Sequence, residues 1–392
     1  MSHVPYAQNV AGAPLGAAPK RSAEEWLPVI PEDNRFESDP TDVLPQDPGL
    51  PDGWIAETPD GHDRATVERL TELLRDHERA GRGWAGSGED DVLVEVSERG
   101  VAMRKNLVVR DPDGRIQAWG SVHDRAEGRM LFVHVVDRQI DERLADRCSD
   151  VLFEWAEAQA KSVGAARGRS VQQIDTGSFA DDERQHGWLA DAGFDRVRTW
   201  WQMSRSVEAG EAELVPDPKR WERQGVVFRL VERQGDGMPD EADLRTIHDV
   251  LEGAFTDHFN SAEETFHEFI HRLREDPGHR WDHWWLAEIV RDEGGDELVE
   301  PAGALVGTVS ESATGPAGSY VSYLGVLESA RGRGVATGLL RTIIADAAAR
   351  GRDRVGLEVD ADSPTGADGL YTAMGWGTKY VTESWHRDVP VT

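Results

Sequence analysis

Cysteine occurs once in 392 residues, at Cys148, so the chain cannot close a disulfide on itself and fits a reducing compartment. Cys148 lies in a helical pattern from Leu144 to Ala160, where a thiol is a core residue rather than a nucleophile. Long apolar runs are missing too: none approaches the ~18 residues that a spanning helix needs. The N-terminus lacks a basic stretch followed by an apolar one, the mark of a secretory leader. A cytoplasmic protein with no membrane partner is expected. Positive charge is also scarce. Lys and Arg total 43 against 73 Asp and Glu, for a net charge of −30. Such a surface repels phosphodiester backbones, so nucleic acid is excluded as the expected partner. It favours amine-bearing, cationic ligands by steering, although the same charge also serves solubility alone.

What is present centres on Tyr320 to Ala349. A β-branched run, Val321 to Leu327, leads into Arg331-Gly332-Arg333-Gly334-Val335-Ala336. A helical pattern follows, with Leu339, Leu340, Ile343, Ile344 and Ala347 on one face. Strand, glycine-bearing turn and helix together make an anion cradle. Glycines let the backbone approach a ligand, and the first-turn N–H groups have no intrahelical acceptors. Alone, the turn is equally compatible with a plain strand–helix connection. GxxxxGK[ST] is absent, and the G-x-G here lacks the third glycine of a dinucleotide fingerprint.

The length predicts more than one domain. Residues 1–52, rich in Pro, Ala, Gly and Asp, read as an extended or disordered arm in which 24–30 could dock. A helix over 63–79 with Asp63 as N-cap is followed by a hairpin, 106–110 and 116–123, around Asp111-Pro112-Asp113-Gly114. Strand 130–136, a helix to Ala160, strand 170–174, a short helix to Ala192 and strand 194–203 complete a first domain, 53–207. Residues 208–224, with Pro216-Asp217-Pro218, read as a linker. In 225–392 the order repeats: strand 226–231, helices 241–254 and 262–274, strands 284–290 and 303–312, the focal strand and helix, strand 355–359, helix 367–374 and strand 379–387. Local matches support a duplication: Trp188 to Phe194 parallels Leu370 to Trp376, and Trp200 to Arg205 parallels Glu383 to Arg387.

The loop Arg331, Gly334 and Ala336 resembles the R/Q-x-x-G-x-G/A pyrophosphate loop of the GNAT acetyltransferases. A second motif follows in order: Asp362-Ser363-Pro364-Thr365-Gly366-Ala367, then Leu370-Tyr371-Thr372-Ala373-Met374-Gly375-Trp376. The resemblance implies an α/β fold of two tandem GNAT-like domains, each a mixed sheet flanked by helices. It implies acetyl-CoA as co-substrate, a small-molecule primary amine as acceptor, and a monomer or homodimer needing no metal. Backbone groups of Leu324, Gly325 and Val326 would grip the pantetheine arm, and Arg331, Gly332, Arg333, Gly334, Val335, Ala336 and Thr337 the pyrophosphate. Tyr371 matches the family's general acid; its plainer role is an aromatic packing a sheet edge. Glu311, on the strand that commonly carries a carboxylate, is the first choice of base. Tyr320, Ser322, Asp257, His258 and Glu383 are alternatives, the last three also as acceptor-site residues, and a water chain can replace a single base.

The two-domain plan, worn in its first half, is similar to that of mycothiol synthase-like proteins. In the first half Ile140 stands where Arg331 does, Arg143 where Gly334 does and Leu189 where Tyr371 does. A side chain at the glycine position crowds a pyrophosphate, and Asp141 and Glu142 repel it. Tyr320 stands where the mycothiol enzyme has a glutamate, and Ser363 where the second motif has Asn, so that acceptor does not carry over. Two rival functions remain. One is a non-catalytic acyl-CoA-binding protein. The other is a zinc hydrolase through His267-Glu268-Phe269-Ile270-His271, whose paired histidines share a helix face but lack a metzincin continuation. Trp281-Asp282-His283-Trp284-Trp285 reads as an aromatic cage or as a strand entering a core.

Overall fold

A computed structural model describes residues 45, 49–101, 103–125, 128–213, 225–234, 239–255, 265–294, 296–310, 316–362 and 366–391. The N-terminal arm therefore lies almost wholly outside the described residues. The chain forms two compact units. Within the described residues, one holds 202–359 and 366–379; the other holds 45–201, 360–362 and 380–391. Both are mixed α/β, a sheet flanked by helices. Among the described residues no helix is long and apolar enough to cross a membrane.

In the N-terminal unit the order is β1 (Ile55–Glu57), α1 (Arg64–Arg82), α2 (Glu89–Val96), α3 (Glu98–Val101), β2 (Arg104–Arg110), β3 (Ile116–Asp124), β4 (Arg129–Val136), α4 (Glu142–Ala166), β5 (Val171–Phe179), α5 (Glu183–Asp191) and β6 (Asp195–Ser206). Asp63 caps α1 as expected, accepting from the Ala65 and Thr66 N–H groups, and Gly83 ends it in the left-handed region at φ 90°. Helices α2 and α3 were not expected. Gly88 gives α2 no side-chain cap, and eight residues are too few to show a helical period clearly. The sheet has the strand order β1-β2-β3-β4-β5-β12-β6. In it β12, the last strand of the chain, pairs antiparallel with β5 from Thr382 against Phe179 to Pro390 against Val171. Leu152, Trp155 and Ala156 of α4 pack one face, and Leu70 and Leu73 of α1 the other. Each of the buried leucines contributes about 1.5–3 kcal/mol.

The C-terminal unit contains β7 (Val226–Leu230), α6 (Glu241–Ala254), α7 (Phe266–Glu275), β8 (His279–Glu293), β9 (Asp296–Ser310), β10 (Gly318–Val326), α8 (Val335–Ala349), β11 (Arg354–Asp360), α9 (Ala367–Ala373) and the start of β12 (Gly377–Pro390). The strand order runs β6-β11-β10-β9-β8-β7. Helices α6 and α7 cover one face with Ile247, Val250, Leu251, Phe269 and Leu273 over Trp284, Leu286, Ala304, Val306 and Tyr323. On the other face α8 presents the stripe Leu339, Leu340, Ile343 and Ala347, all fully buried. Gly338 lets α8 approach β7, since a Cβ there would meet the Phe228 ring at 2.0 Å. Strand β8 starts five residues earlier than expected, because an irregular stretch between His279 and Trp284 hides the alternation.

Candidate active site

The site is built where β10 parts from β11. Their parallel pairing covers only Ser319 with Val355, Tyr320 with Gly356 and Val321 with Leu357. On its other side β10 stays paired with β9 as far as Val326 opposite Gly303. The register shifts between Val321 and Tyr323, placing a bulge at Ser322, where the two strands separate. From there to Val326 the backbone edge of β10 that faced β11 no longer has that strand as its partner. Leu324, Gly325 and Val326 lie on this stretch. Gly325 brings it under α6: a Cβ there would lie 2.9 Å from the Leu251 side chain and 3.0 Å from that of Ala254.

Beyond β10, residues Glu328–Ala330 make one 3-10 turn, and Arg331 to Arg333 form the exposed bend before α8. Gly332 and Gly334 both hold positive φ, 76° and 78°, which side chains other than glycine's adopt only under strain. Gly334 is the N-cap of α8 and supplies no side-chain acceptor. The first intrahelical bond runs from the Gly338 N–H to the Gly334 carbonyl at 3.0 Å. The N–H groups of Val335, Ala336 and Thr337 thus open toward the bend, at the positive end of the helix dipole. This is a fit for a diphosphate: a Cβ-free approach, uncapped donors, and Arg331 and Arg333 exposed in a chain of net charge −30.

Tyr371 sits on α9, half-buried, and burial pushes its phenol up to about 12. Its carbonyl accepts the N–H groups of Met374 and Trp376, both at 3.0 Å, through a turn in which Gly375 has φ 94°. That turn swings the buried Trp376 back to 6.2 Å from the Tyr371 ring, and the Arg205 guanidinium lies 5.4 Å above Trp376. On β10, Ser322 is buried with its hydroxyl 3.4 Å from that of Thr308. The Tyr320 ring packs over Gly356, where a Cβ would come within 3.0 Å.

Glu311, Asp257 and His258 lie outside the described residues. Glu383 belongs to the N-terminal unit, buried and bound to Arg196 at 2.7 Å and to His186 at 3.1 Å. Thr308 and Gly356, which the sequence reading passed over, are visible only once the register is known. Glu268 of the His-Glu-x-x-His stretch is the N3 residue of a capping box with Thr265, whose hydroxyl lies 2.6 Å from it. Among the described residues no three metal-ligating side chains are grouped to hold an ion. Trp284 and Trp285 are buried as a strand core, not an open cage.

The N-terminal unit repeats the plan and fills it. Strands β4 and β5 also pair over three residues only, from Arg129 with Gln173 to Leu131 with Asp175, and β4 likewise runs on to Val136. Here the bend is closed by its own side chains. Asp141 caps α4, accepting from the Arg143 N–H at 3.0 Å, and Asp137 accepts from the Gln139 N–H at 2.7 Å. Arg69 pairs with Asp137, and Arg138 with Asp182. The turn after α5 matches that after α9: the Phe194 N–H donates to the Leu189 carbonyl at 2.9 Å, with Gly193 at φ 76°.

Comparison with known proteins agrees with this geometry. Residues 245–376 match the model of the acetyltransferase (GNAT) family. A GCN5-related N-acetyltransferase from Sphaerobacter thermophilus has a similar structure, with a TM-score of 0.64 at 21% identity, over 87% of this chain and 97% of that one. A tandem GNAT protein from the clavulanic acid biosynthesis pathway superposes with a TM-score of 0.60 at 14% identity, over 86% and 99% of the two chains. N-myristoyltransferase of Saccharomyces cerevisiae gives 0.51 at 10% identity, over 86% and 83%. A search of curated proteins finds no match. The stretch that carries the parted strands and the glycine loop is therefore the stretch that matches the acetyltransferase (GNAT) family model, in a chain with the fold of tandem GNAT proteins.

Proposed function

We propose that the chain is an acetyl-CoA-dependent N-acetyltransferase, with one working site in its C-terminal half and a small-molecule primary amine as acceptor. By sequence, residues 225–392 would be the catalytic domain, 208–224 a linker, and 53–207 a degenerate partner, with the last strand counted from Tyr380 onward in the N-terminal compact unit. The observation that carries this reading is the parting of β10 from β11 directly ahead of an uncapped α8. That arrangement offers strand-like hydrogen bonds to an extended chain and helix N–H groups to the diphosphate at its end.

Acetyl-CoA, when bound, supplies the acetyl group as a thioester. Leu324, Gly325 and Val326 would hold the pantetheine arm through backbone N–H and C=O groups. Arg331, Gly332, Arg333, Gly334, Val335, Ala336 and Thr337 would hold the diphosphate. In the reaction the C–N bond forms, the C–S bond breaks, the amine gives up one proton and the thiol gains one. Tyr371 would serve the last step. Burial holds the phenol near 12, so it is protonated at neutral pH and would act as general acid, giving its proton to the departing sulfur and regaining one, by way of solvent, from that lost by the amine. Glu311 remains the first choice of base, with Asp257, His258, Tyr320 and Ser322 as alternatives. Glu383, engaged by Arg196 and His186, is left out of this assignment.

The mycothiol synthase acceptor does not come with the two-domain plan, because Tyr320 and Ser363 depart from that pattern. The fold shared with N-myristoyltransferase makes longer acyl-CoA donors worth assaying beside acetyl-CoA. The test is thiol release from acetyl-CoA across a panel of primary amines. Amine-dependent release is expected. Binding of acetyl-CoA with no release for any amine would favour the non-catalytic binding protein instead.

A further inference from the structure

A cluster of unsatisfied buried nitrogens lies at the corner between α7 and β8. Both ring nitrogens of His279 and the indole Nε1 of Trp284 are buried and have no hydrogen-bond partner among the described residues. The two rings stand perpendicular with centroids 5.7 Å apart, and Trp281 closes the group at 4.3 Å from His279 and 5.1 Å from Trp284. A buried donor or acceptor left unmade costs about 1–3 kcal/mol. Three in one place call for something that satisfies them.

The location connects this corner to the reaction centre. His279 is paired with Thr308 on β9, and Thr308 with Tyr320 on β10, so all three lie in one row on one face of the sheet. Two strand spacings, about 10 Å, separate the ends of the row. Thr308 touches Ser322 at the bulge, and Tyr323, next to Leu324, shares a hydrophobic cluster with Trp284 and Phe269. A molecule with its amine at the bulge would need a chain of several atoms, laid along this row, to bring its far end to His279.

The chemistry of the corner narrows what it accepts. Burial, then Arg274 and Arg280, push the His279 imidazole down to about 3, so it is neutral at pH 7, one nitrogen donating and one accepting. Trp284 adds a donor. A neutral ring beside two guanidinium groups is a poor host for a second ammonium.

We propose that His279 and Trp284 form a subsite for the far end of the acceptor, taking a neutral group that both donates and accepts hydrogen bonds, a hydroxyl or primary carboxamide. The proposal rests on the acetyltransferase reading. A site built around a substrate hydroxyl rejects the analogue lacking it, because its own polar groups are then left unpaired.

The test uses ω-amino alcohols and n-alkylamines of matched length, two to eight carbons, with wild type and His279→Phe. Thiol release from acetyl-CoA is measured, and so is binding to the CoA-saturated protein by saturation-transfer NMR, which needs no turnover. At one length the amino alcohol should be favoured by at least about tenfold, and His279→Phe should bring the ratio to near one. Acetyl-CoA binding and melting temperature should be unchanged or raised in the variant, since an unsatisfied group is removed. Equal use and equal binding of both series, or a preference that survives His279→Phe, would overturn the subsite and leave ordered water as the occupant. A marked drop in melting temperature in His279→Phe would overturn it too, by showing a structural role. Failure of the acetyltransferase reading is separate: neither CoA binding nor thiol release with any amine.

Discussion

Arg184 donates to the carbonyl of Val136 at 3.1 Å, and the same guanidinium reaches the Asp137 carbonyl at 3.4 Å. It is braced over the Trp188 ring at 4.6 Å. These carbonyls end β4, at the place that Val326 and Leu327 occupy after the parting in the C-terminal unit. An arginine thus takes the strand-edge bonds that a pantetheine arm would need. Together with Arg138–Asp182 and Arg69–Asp137 it makes the N-terminal copy self-filled. Native mass spectrometry with excess acetyl-CoA should show one adduct per chain. Two adducts would mean that these side chains move aside.

Gly334→Val should act twice. At φ 78° a side chain costs about 1–2 kcal/mol, and the branched group blocks diphosphate approach to the α8 N-terminus. Acetyl-CoA affinity should fall by about 100-fold or more, with a loss of a few degrees in melting temperature. Gly332→Ala, where nothing lies within 4 Å of the added Cβ, separates strain from obstruction and should cost stability with a smaller loss of affinity. Unaltered affinity in Gly334→Val would remove the loop from the cofactor site.

Tyr371→Phe should leave acetyl-CoA binding within about threefold and lower kcat by about 10²- to 10⁴-fold, the span ordinary for a lost proton-handling group. Equal turnover would return Tyr371 to a packing role beside Trp376.

Acid should weaken the N-terminal unit in a defined window. His77 and His134 are pushed down to about 3 by burial first, with the charge of Arg138 and of Arg184 respectively as the next largest cause. In the unfolded chain each titrates near 6.5, so unfolding takes up protons below that pH. Their contribution is complete above 6.5 and is lost as pH falls toward 3. Each adds a slope of up to about 1.4 kcal/mol per pH unit in that window. Urea midpoints at pH 7.5, 6 and 5 should fall steadily, and His77→Phe should flatten the decline. An unchanged slope in that variant would show that His77 is charged in the folded state.

Much of the fold was legible because its signals are local. Asp63, the Asp111-to-Gly114 turn and the stripe from Leu339 to Ala347 each state their element within a few residues. The glycine loop and the Leu370-to-Trp376 motif were legible for the same reason. What was not legible depends on register. The parting of β10 from β11 after Val321, the row from His279 through Thr308 to Tyr320, and the reach of Arg184 to Val136 join residues 29 to 48 positions apart or cross several strands. The pairing of β12 with β5 joins residues some two hundred positions apart, and places Glu383 beside Arg196 and His186. No window of sequence carries such information.

Calorimetric titration of the full chain with acetyl-CoA tests the central claim most directly. A single site per chain, abolished in Gly334→Val and retained in Tyr371→Phe, is the predicted result. No heat and no thermal stabilisation at millimolar acetyl-CoA would contradict it.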